Sequence, residues 1–133
     1  RSLMTLRLST APTEDLGEGP RGKRLTFPVV GGSFAGDRLN GVVLPGGADW
    51  VIQRPDGILE LDLRVTLRTD DGALILMAFQ GMRDDGAPNG PYFRTLPRFE
   101  TGAERYAFLN RILAVGVGEI SADGPVHVIE ELL

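Results

Sequence analysis

Cysteine is absent from the sequence, and histidine occurs once, as His127. Without cysteine, a disulfide framework, thiolate catalysis and cysteine-ligated metal are all excluded. One histidine near the chain end gives no support for a Ser-His-Asp arrangement. A metal site would then need several carboxylates at a ligand spacing that the chain does not show. We therefore expect no metal, and we expect His127 to be structural or exposed.

Long apolar runs and an excess of positive charge are also missing. No apolar segment approaches the roughly 20 residues of a membrane span, and the first residues lack the pattern of a signal peptide. The 14 basic and 18 acidic side chains are interspersed and leave a net charge of −4, so there is no basic surface for nucleic acid. We expect a cytoplasmic protein that binds neither nucleic acid nor membrane, with residues 1–133 forming one domain.

Turn-forming residues, by contrast, are abundant. The chain has 18 glycines and 9 prolines, and Asp-Gly pairs recur between strand-like runs at 56–57, 71–72, 85–86 and 123–124. Such pairs are the strongest short-range signal for hairpins, and a sheet of many strands curls or closes. The pattern predicts an all-β fold: a single antiparallel meander β-barrel of about eight to nine strands, with one short helix near residues 103–110.

The most regular stretch is a hairpin from Ile58 to Gly81. Leucine or valine at every odd position from 59 to 67 alternates with polar residues, which is the period of a strand with two different faces. Asp62 and Arg64 share the polar face. On an open sheet that face is the wet side. In a closed barrel it could instead line the lumen, with the leucines outside under a helix, a loop or a partner chain.

The N-terminal part is less regular. Leu3–Leu8 is a plausible first strand, whereas Ala11–Lys23 is polar and contains glycine and proline, which predicts a loop. Whether this loop closes over a barrel mouth stays open. The apolar face of residues 59–67 makes a homo-oligomer, most simply a dimer, plausible.

Five short motifs follow one another in an order that resembles a known family. They are GGSFAG (31–36), GGADW (46–50), LDLRVTLRTDDGA (61–73), YFRTLPRFETG (92–102) and RYAFLN (105–110). As a set they resemble the domain of unknown function 3237 family, also called uncharacterised protein family 0311, over about residues 20–132. The resemblance implies a lipocalin-like barrel with a pocket, no associated cofactor, and a setting in the metabolism of small aromatic or polyketide-like compounds.

Three charged residues are the candidates for catalysis. Within a lumen, Arg64 would bind a carboxylate or enolate oxygen through its planar donor fork. Asp62 would orient it or act as a base with a raised pKa. The alternative for both is a solvated strand face. Asp49, at a strand start, is either a turn-capping carboxylate or the general base.

The candidates for substrate binding each have a structural alternative. Trp50 is a stacking wall or part of the packing. Tyr92 and Arg94, two apart, form an oxyanion clamp or a loop over the barrel mouth. Glu100 contacts substrate or caps the helix, and Tyr106 points into the mouth or plugs the barrel end.

These residues support three hypotheses. The first is a cofactor-free enzyme, an isomerase, cyclase or lyase, that moves a proton on a small carbonyl or phenolic compound. The second is a non-catalytic binder of a small molecule in the same lumen. The third is a structural subunit of a homo-oligomer.

Overall fold

The computed structural model describes all residues from 1 to 133, and the chain consists almost entirely of antiparallel strands. One short 3₁₀ helix, Glu104–Arg111, follows the eighth strand. The strands are β1 (Ser2–Thr10), β2 (Glu14–Gly19), β3 (Gly22–Ala35), β4 (Asn40–Val43), β5 (Gly47–Gln53), β6 (Leu59–Thr69), β7 (Leu74–Asp84), β8 (Tyr92–Glu100), β9 (Leu113–Ser121) and β10 (Gly124–Leu132). The predicted all-β fold with one helix is confirmed.

The sheet closes into a barrel through β1, which pairs with β10 on one side and β3 on the other. Strands β4 and β5 share one position, because both lie between β3 and β6. The barrel therefore has eight strand positions. Strand β2 pairs only with β3 and extends the sheet beyond the closed ring.

The odd-numbered side chains of β6 face the inside of the barrel. Leu61, Leu63, Val65 and Leu67 are each at most 5% exposed and form part of one apolar core. Arg64, at an even-numbered position of the same strand, is exposed on the outer surface. An eight-stranded barrel has an interior just wide enough for side chains, so the apolar face fills it. The alternative in which Asp62 and Arg64 line the lumen, with the leucines outside, is wrong.

The 3₁₀ helix closes the end of the barrel at which β6 turns into β7. Asp71, in that turn, accepts hydrogen bonds from Thr69, from the Tyr106 hydroxyl at 2.8 Å and from Arg105 at 2.9 Å. Leu109, on the helix, is fully buried in the core. The polar atoms at this end are therefore satisfied within the chain.

The segment Ala11–Lys23, predicted as a loop, is mostly strand. Strand β2 pairs with residues 22–26 of β3, and only residues 11–13 and a two-residue turn remain outside strands. Its side chains are largely solvated, so it has no apolar alternation. Backbone pairing holds this ribbon, together with an exposed ion pair between Lys23 and Asp15 at 3.0 Å.

Strand β8 continues beyond Arg94 as far as Glu100. Its continuation contains Pro97, which lacks the N–H of a ladder residue. Strand β8 pairs along its length with β7, but with β9 only at Arg94 and Thr95. Pro97 thus lies where the strand has one partner, which a proline tolerates.

Exposed apolar side chains are spread over the outer faces of several strands, from Leu16 on β2 to Leu132 on β10, but none of them belongs to β6. They include Leu96, Leu113 and Val117, which are 50% to 62% exposed. The leucines of β6 that suggested a homo-oligomer lie inside the barrel, so that support is withdrawn and the oligomer stays a prediction. No helix of the structure has the length and apolar character needed to cross a bilayer.

Two neighbouring substitutions test which face of β6 lies inside. Leu63→Ala removes a buried side chain and is expected to lower the free energy of unfolding by about 2–5 kcal/mol. Arg64→Ala changes the solvated face and is expected to alter it by less than about 0.5 kcal/mol. Urea unfolding measures both, and similar losses for the two variants would contradict the assignment.

Candidate functional site

Two polar side chains, Asp49 and His127, face into the barrel near its other end. Asp49 on β5 pairs with Phe27 on β3 and lies opposite Leu63 on β6, both of which point inward. His127 on β10 lies opposite the buried Leu6 of β1. Asp49 is 9% exposed and His127 is 1% exposed, so the sheet holds both groups away from bulk water.

Both residues line a cavity of about 200 Å³ at this end of the barrel. Much of its wall is apolar and includes Phe27, Leu63 and Phe93. The remaining polar wall is provided by threonines at the break between β1 and β2 and by Arg83. A small apolar cavity with a few convergent polar groups is the usual form of a ligand site.

Burial raises the pKa of the Asp49 carboxyl from 3.8 to about 6. The neighbouring charge of Asp62 also raises this pKa, while one hydrogen bond, from the Asp62 backbone N–H to Asp49 Oδ1 at 2.9 Å, opposes the rise. A carboxyl group with this pKa changes its protonation state near physiological pH. It can therefore serve as a general base or a general acid.

His127 is held between two aromatic rings. Its ring centroid is 5.1 Å from that of Phe79 and 5.0 Å from that of Phe93, the latter in an edge-to-face arrangement. Gly118 leaves room for the Phe93 ring, since a Cβ at residue 118 would lie 2.7 Å from Phe93 Cγ. The imidazole is thus fixed by packing rather than by polar partners.

The chemistry of His127 follows from its burial. Burial lowers the pKa of the imidazole from 6.5 to about 4, so it is neutral at physiological pH. Its Nδ1 atom is inaccessible and has no hydrogen-bond partner. An orphaned polar atom of this kind is uncommon in folded proteins and calls for an explanation.

Arg83 reaches the same cavity from β7. It lies on the inward face of that strand, opposite Leu59 and Phe93, whose side chains also belong to the inner face. Its Nε and Nη2 donate to the two carboxylate oxygens of Asp85 at 2.9 and 3.0 Å. The guanidinium carbon lies 5.7 Å from the centre of the Phe93 ring. A cation is thereby fixed at the rim of an apolar cavity.

Of the eight predicted site residues, only Asp49 lines this cavity. Trp50 and Asp62 lie together in a separate depression of about 400 Å³ on the outer surface. Arg64 is also outside, and Tyr92 and Arg94 pair with each other on the outer face of β8, 4.6 Å from guanidinium carbon to ring centre.

The two remaining predicted residues lie near the closed end. Glu100 is exposed on β8 and does not cap the helix, whose N-terminal Ala103 N–H bonds instead to Thr101 Oγ1 at 3.1 Å. Tyr106 is buried and bonds to Asp71 at 2.8 Å. Tyr106 therefore packs at the closed end of the barrel and does not line the cavity.

Sequence reasoning missed His127 and Arg83 as members of the site. A signal was present for Arg83, which follows Ile75, Met77 and Phe79 at even spacing, but we expected β7 to end before it. For His127 no such signal was present, because apolar residues on both sides of it leave no clear alternation of apolar and polar side chains. Elsewhere, no three histidine, aspartate or glutamate side chains are grouped so that they could hold a metal ion.

The fold and the site define a class, that of small closed antiparallel barrels with polar side chains at one end of an apolar interior. Within this class, the chain belongs to the family described as Protein of unknown function (DUF3237), whose model matches residues 1–131. The resemblance drawn from the five motifs is thus confirmed.

Bacterial relatives are similar over nearly their whole length. A UPF0311 protein of Rhodopseudomonas palustris is 35% identical over 144 aligned residues, covering 98% of this chain and 94% of the relative. A solved β-barrel-like protein from Acinetobacter baumannii superposes with a TM-score of 0.94 at 32% identity, covering 100% of this chain and 94% of the other.

A fungal relative has a named activity. The hydroalkoxylation enzyme phnH of Penicillium herquei is 32% identical over 88 residues, which cover 66% of this chain and 52% of the enzyme. A solved enzyme from Penicillium herquei superposes with a TM-score of 0.77 at 23% identity, covering 98% and 92% of the two chains. That structure shows a shared fold.

The raised pKa of Asp49 predicts a particular pH dependence of stability. Because the folded protein binds this proton more tightly than the unfolded chain, the contribution is present below pH 3.8 and is lost as the pH rises through about 6. At neutral pH the buried charge costs about 3 kcal/mol. Asp49→Asn keeps an oxygen for the Asp62 N–H, so it is expected to be more stable than wild type above pH 6 and equal to it below pH 4.

Urea unfolding of wild type and Asp49→Asn between pH 4 and 7.5 measures this difference. His127 is present in both proteins, so its own contribution, which opposes that of Asp49 over this range, largely cancels. The control is Glu119→Gln, which removes an exposed carboxylate on β9. A stability difference for Asp49→Asn that does not change with pH would contradict the raised pKa.

Proposed function

We propose that this protein is a cofactor-independent enzyme that moves a proton on a small carbonyl or phenolic compound bound in the end cavity. The observation that carries the proposal is the Asp49 carboxyl, buried in a largely apolar wall with a pKa of about 6. Such a group is unfavourable for stability and well matched to acid–base catalysis near neutral pH. The cavity, at about 200 Å³, suits a small substrate or the reacting end of a longer one.

In this proposal Asp49 carries the proton. Its carboxylate removes a proton from the bound substrate, and the protonated carboxyl returns a proton to another atom of the same molecule. The Asp62 N–H bond at 2.9 Å fixes the orientation of the carboxyl group and leaves its second oxygen without a protein donor. Proton removal and return by one group require no change in oxidation state.

His127 has a different role, because a neutral imidazole with a lowered pKa is a poor proton donor to carbon. It supplies instead a hydrogen bond to a substrate oxygen and adds no charge to the cavity. The aromatic rings on both sides hold it in place. Nε2 is the ring nitrogen that would reach a substrate, because Nδ1 is inaccessible.

The fungal relative supports one reaction within this class, the addition of a hydroxyl group across a carbon–carbon double bond. In such an addition the hydroxyl oxygen forms a bond to one alkene carbon and loses its proton. The π bond breaks and the other alkene carbon gains a proton. When the hydroxyl group and the alkene belong to one molecule, the product is an isomer of the substrate. A single acid–base group then accepts the proton from oxygen and delivers a proton to carbon.

The proposal predicts proton exchange that depends on Asp49. Small cyclic ketones and 2-alkenylphenols in D₂O are expected to exchange carbon-bound protons or to cyclise, at a rate that rises with pH through about 6, because the carboxylate form is the base. Asp49→Asn is expected to lower the rate by about 10²–10⁴-fold. Proton NMR measures both reactions.

A matched control for this assay is Glu60→Gln, which removes an exposed carboxylate from the outer face of β6. It is expected to react at the wild-type rate. If wild type accelerates neither reaction over buffer, or if Asp49→Asn is as active as wild type, the proposed catalysis is wrong and the cavity belongs to a non-catalytic binding protein.

A second prediction separates the role of His127 from packing. His127→Phe retains a ring between Phe79 and Phe93 and removes the orphaned Nδ1. Since an unsatisfied buried polar atom costs about 1–3 kcal/mol, the variant is expected to be at least as stable as wild type. Its rate in the same assay is expected to fall about tenfold or more. A loss of stability with unchanged turnover would assign His127 to the core alone.

A further inference from the structure

The end cavity contains one cationic side chain, that of Arg83, and the pleat of β7 determines where this side chain lies. Arg83 belongs to the inner face of β7, at the point where that strand leaves the barrel. Only Asp49 and Arg83 among the cavity-lining residues carry a formal charge at neutral pH. The cavity is therefore polarised, with a carboxyl group in its wall and a guanidinium at its rim.

The hydrogen bonds of Arg83 leave part of its donor fork free. Nε and Nη2 donate hydrogen bonds to the carboxylate oxygens of Asp85 at 2.9 and 3.0 Å, and Nη1 makes no hydrogen bond within the chain. The guanidinium side chain is 23% exposed, whereas Asp85 is 57% exposed in the loop. One edge of the guanidinium is thus fixed by a carboxylate on the loop side, and the other edge is available to a ligand.

Contacts with Phe93 place the guanidinium beside the apolar wall. Its carbon lies 5.7 Å from the centre of the Phe93 ring, and that ring in turn contacts His127 at 5.0 Å between centroids. The Phe93 ring therefore bridges the distance from Arg83 to His127. A ligand that spans it needs an acceptor for Arg83 at one end and an apolar, planar body against Phe93.

We propose that Arg83 is the specificity-determining residue of this site and that the substrate is a small aromatic anion, with a carboxylate or phenolate oxygen bound by Arg83 Nη1. Arginine suits this role because the guanidinium has five N–H donors, so Nη1 can bind an anionic oxygen while Nε and Nη2 hold Asp85. Asp85 acts as a positioning residue that holds the guanidinium at the rim. This inference rests on the proposed function for the identity of the ligand as substrate, whereas the binding of an anion is independent of it.

The test compares two ligands of nearly the same shape that differ in charge. Wild type is expected to bind benzoate at least tenfold more tightly than benzamide, as measured by titration calorimetry. In Arg83→Met, which keeps the length of the side chain, the dissociation constants of the two are expected to come within about twofold of each other, with benzamide unchanged. Arg83→Lys, which keeps the charge and loses the fork, is expected to be intermediate.

Arg68→Met is the matched control, because Arg68 is a second arginine on the neighbouring strand β6 and is exposed on the outer surface. It changes the net charge by the same amount and is expected to preserve the preference for benzoate. Replacing benzoate by 4-nitrophenolate, with 4-nitroanisole as its neutral counterpart, distinguishes a carboxylate site from a phenolate site. Raising the salt concentration is expected to weaken the binding of the anions only.

The outcomes separate this inference from the proposed function. If Arg83→Met leaves the ratio of benzoate to benzamide affinity unchanged, if Arg68→Met abolishes it, or if no probe binds wild type at millimolar concentration, the role of Arg83 is wrong. Preserved discrimination in Asp49→Asn, together with an absence of turnover in wild type, would instead retain the anion site and reject the enzyme. Thermal unfolding of each variant shows whether it is folded before binding is measured.

Discussion

Burial of the Asp49 carboxyl is the constraint on which the rest of the site depends. Its position is imposed by the pleat of β5, which turns it inward between Phe27 and Leu63. Its one protein donor is a backbone N–H of β6, which cannot move without loss of strand pairing. One hydrogen bond does not offset the removal of a carboxylate from water, and the group therefore holds its proton up to a pH of about 6.

The two ends of the barrel differ in how many hydrogen-bond donors they supply to an aspartate side chain. At the closed end, hydrogen bonds from Thr69 and Tyr106 hold the pKa of Asp71 below its usual value, and the 3₁₀ helix packs over the core. At the open end, Asp49 has one donor and His127 Nδ1 has none. The first arrangement stabilises the barrel. The second leaves one oxygen of the Asp49 carboxyl free for a ligand, as is common where function competes with stability.

Much of the fold follows from local patterns in the sequence. Alternation over residues 59–67 and the recurring Asp-Gly turns are consequences of short-range sterics, so the hairpins and their order were predictable. Strand β2 and the second half of β8 were not. Each pairs with the strand next to it along the chain, β2 with β3 and β8 with β7, but solvated side chains in β2 and a proline in β8 concealed the alternation that marks a strand.

The candidate site was less predictable, for a physical reason. Alternation shows that a strand has two faces, but it does not show which one is inside a closed barrel. The volume of an eight-stranded interior decides that question, and it admits Leu63 and excludes Arg64. Asp49 could be proposed because any carboxylate is a candidate base. Its companions His127 and Arg83 come from strands remote in sequence, and only barrel closure places all three around one cavity.

The most direct test of this account is an NMR titration of the Asp49 carboxyl carbon in the folded protein, with the single histidine observed in the same samples. The account predicts that the Asp49 resonance titrates near pH 6 and that the imidazole of His127 stays neutral down to about pH 4. A midpoint near 3.8 for Asp49, together with a histidine that titrates near 6.5, would show that both groups are solvated. It would contradict a buried acid–base site at the end of the barrel.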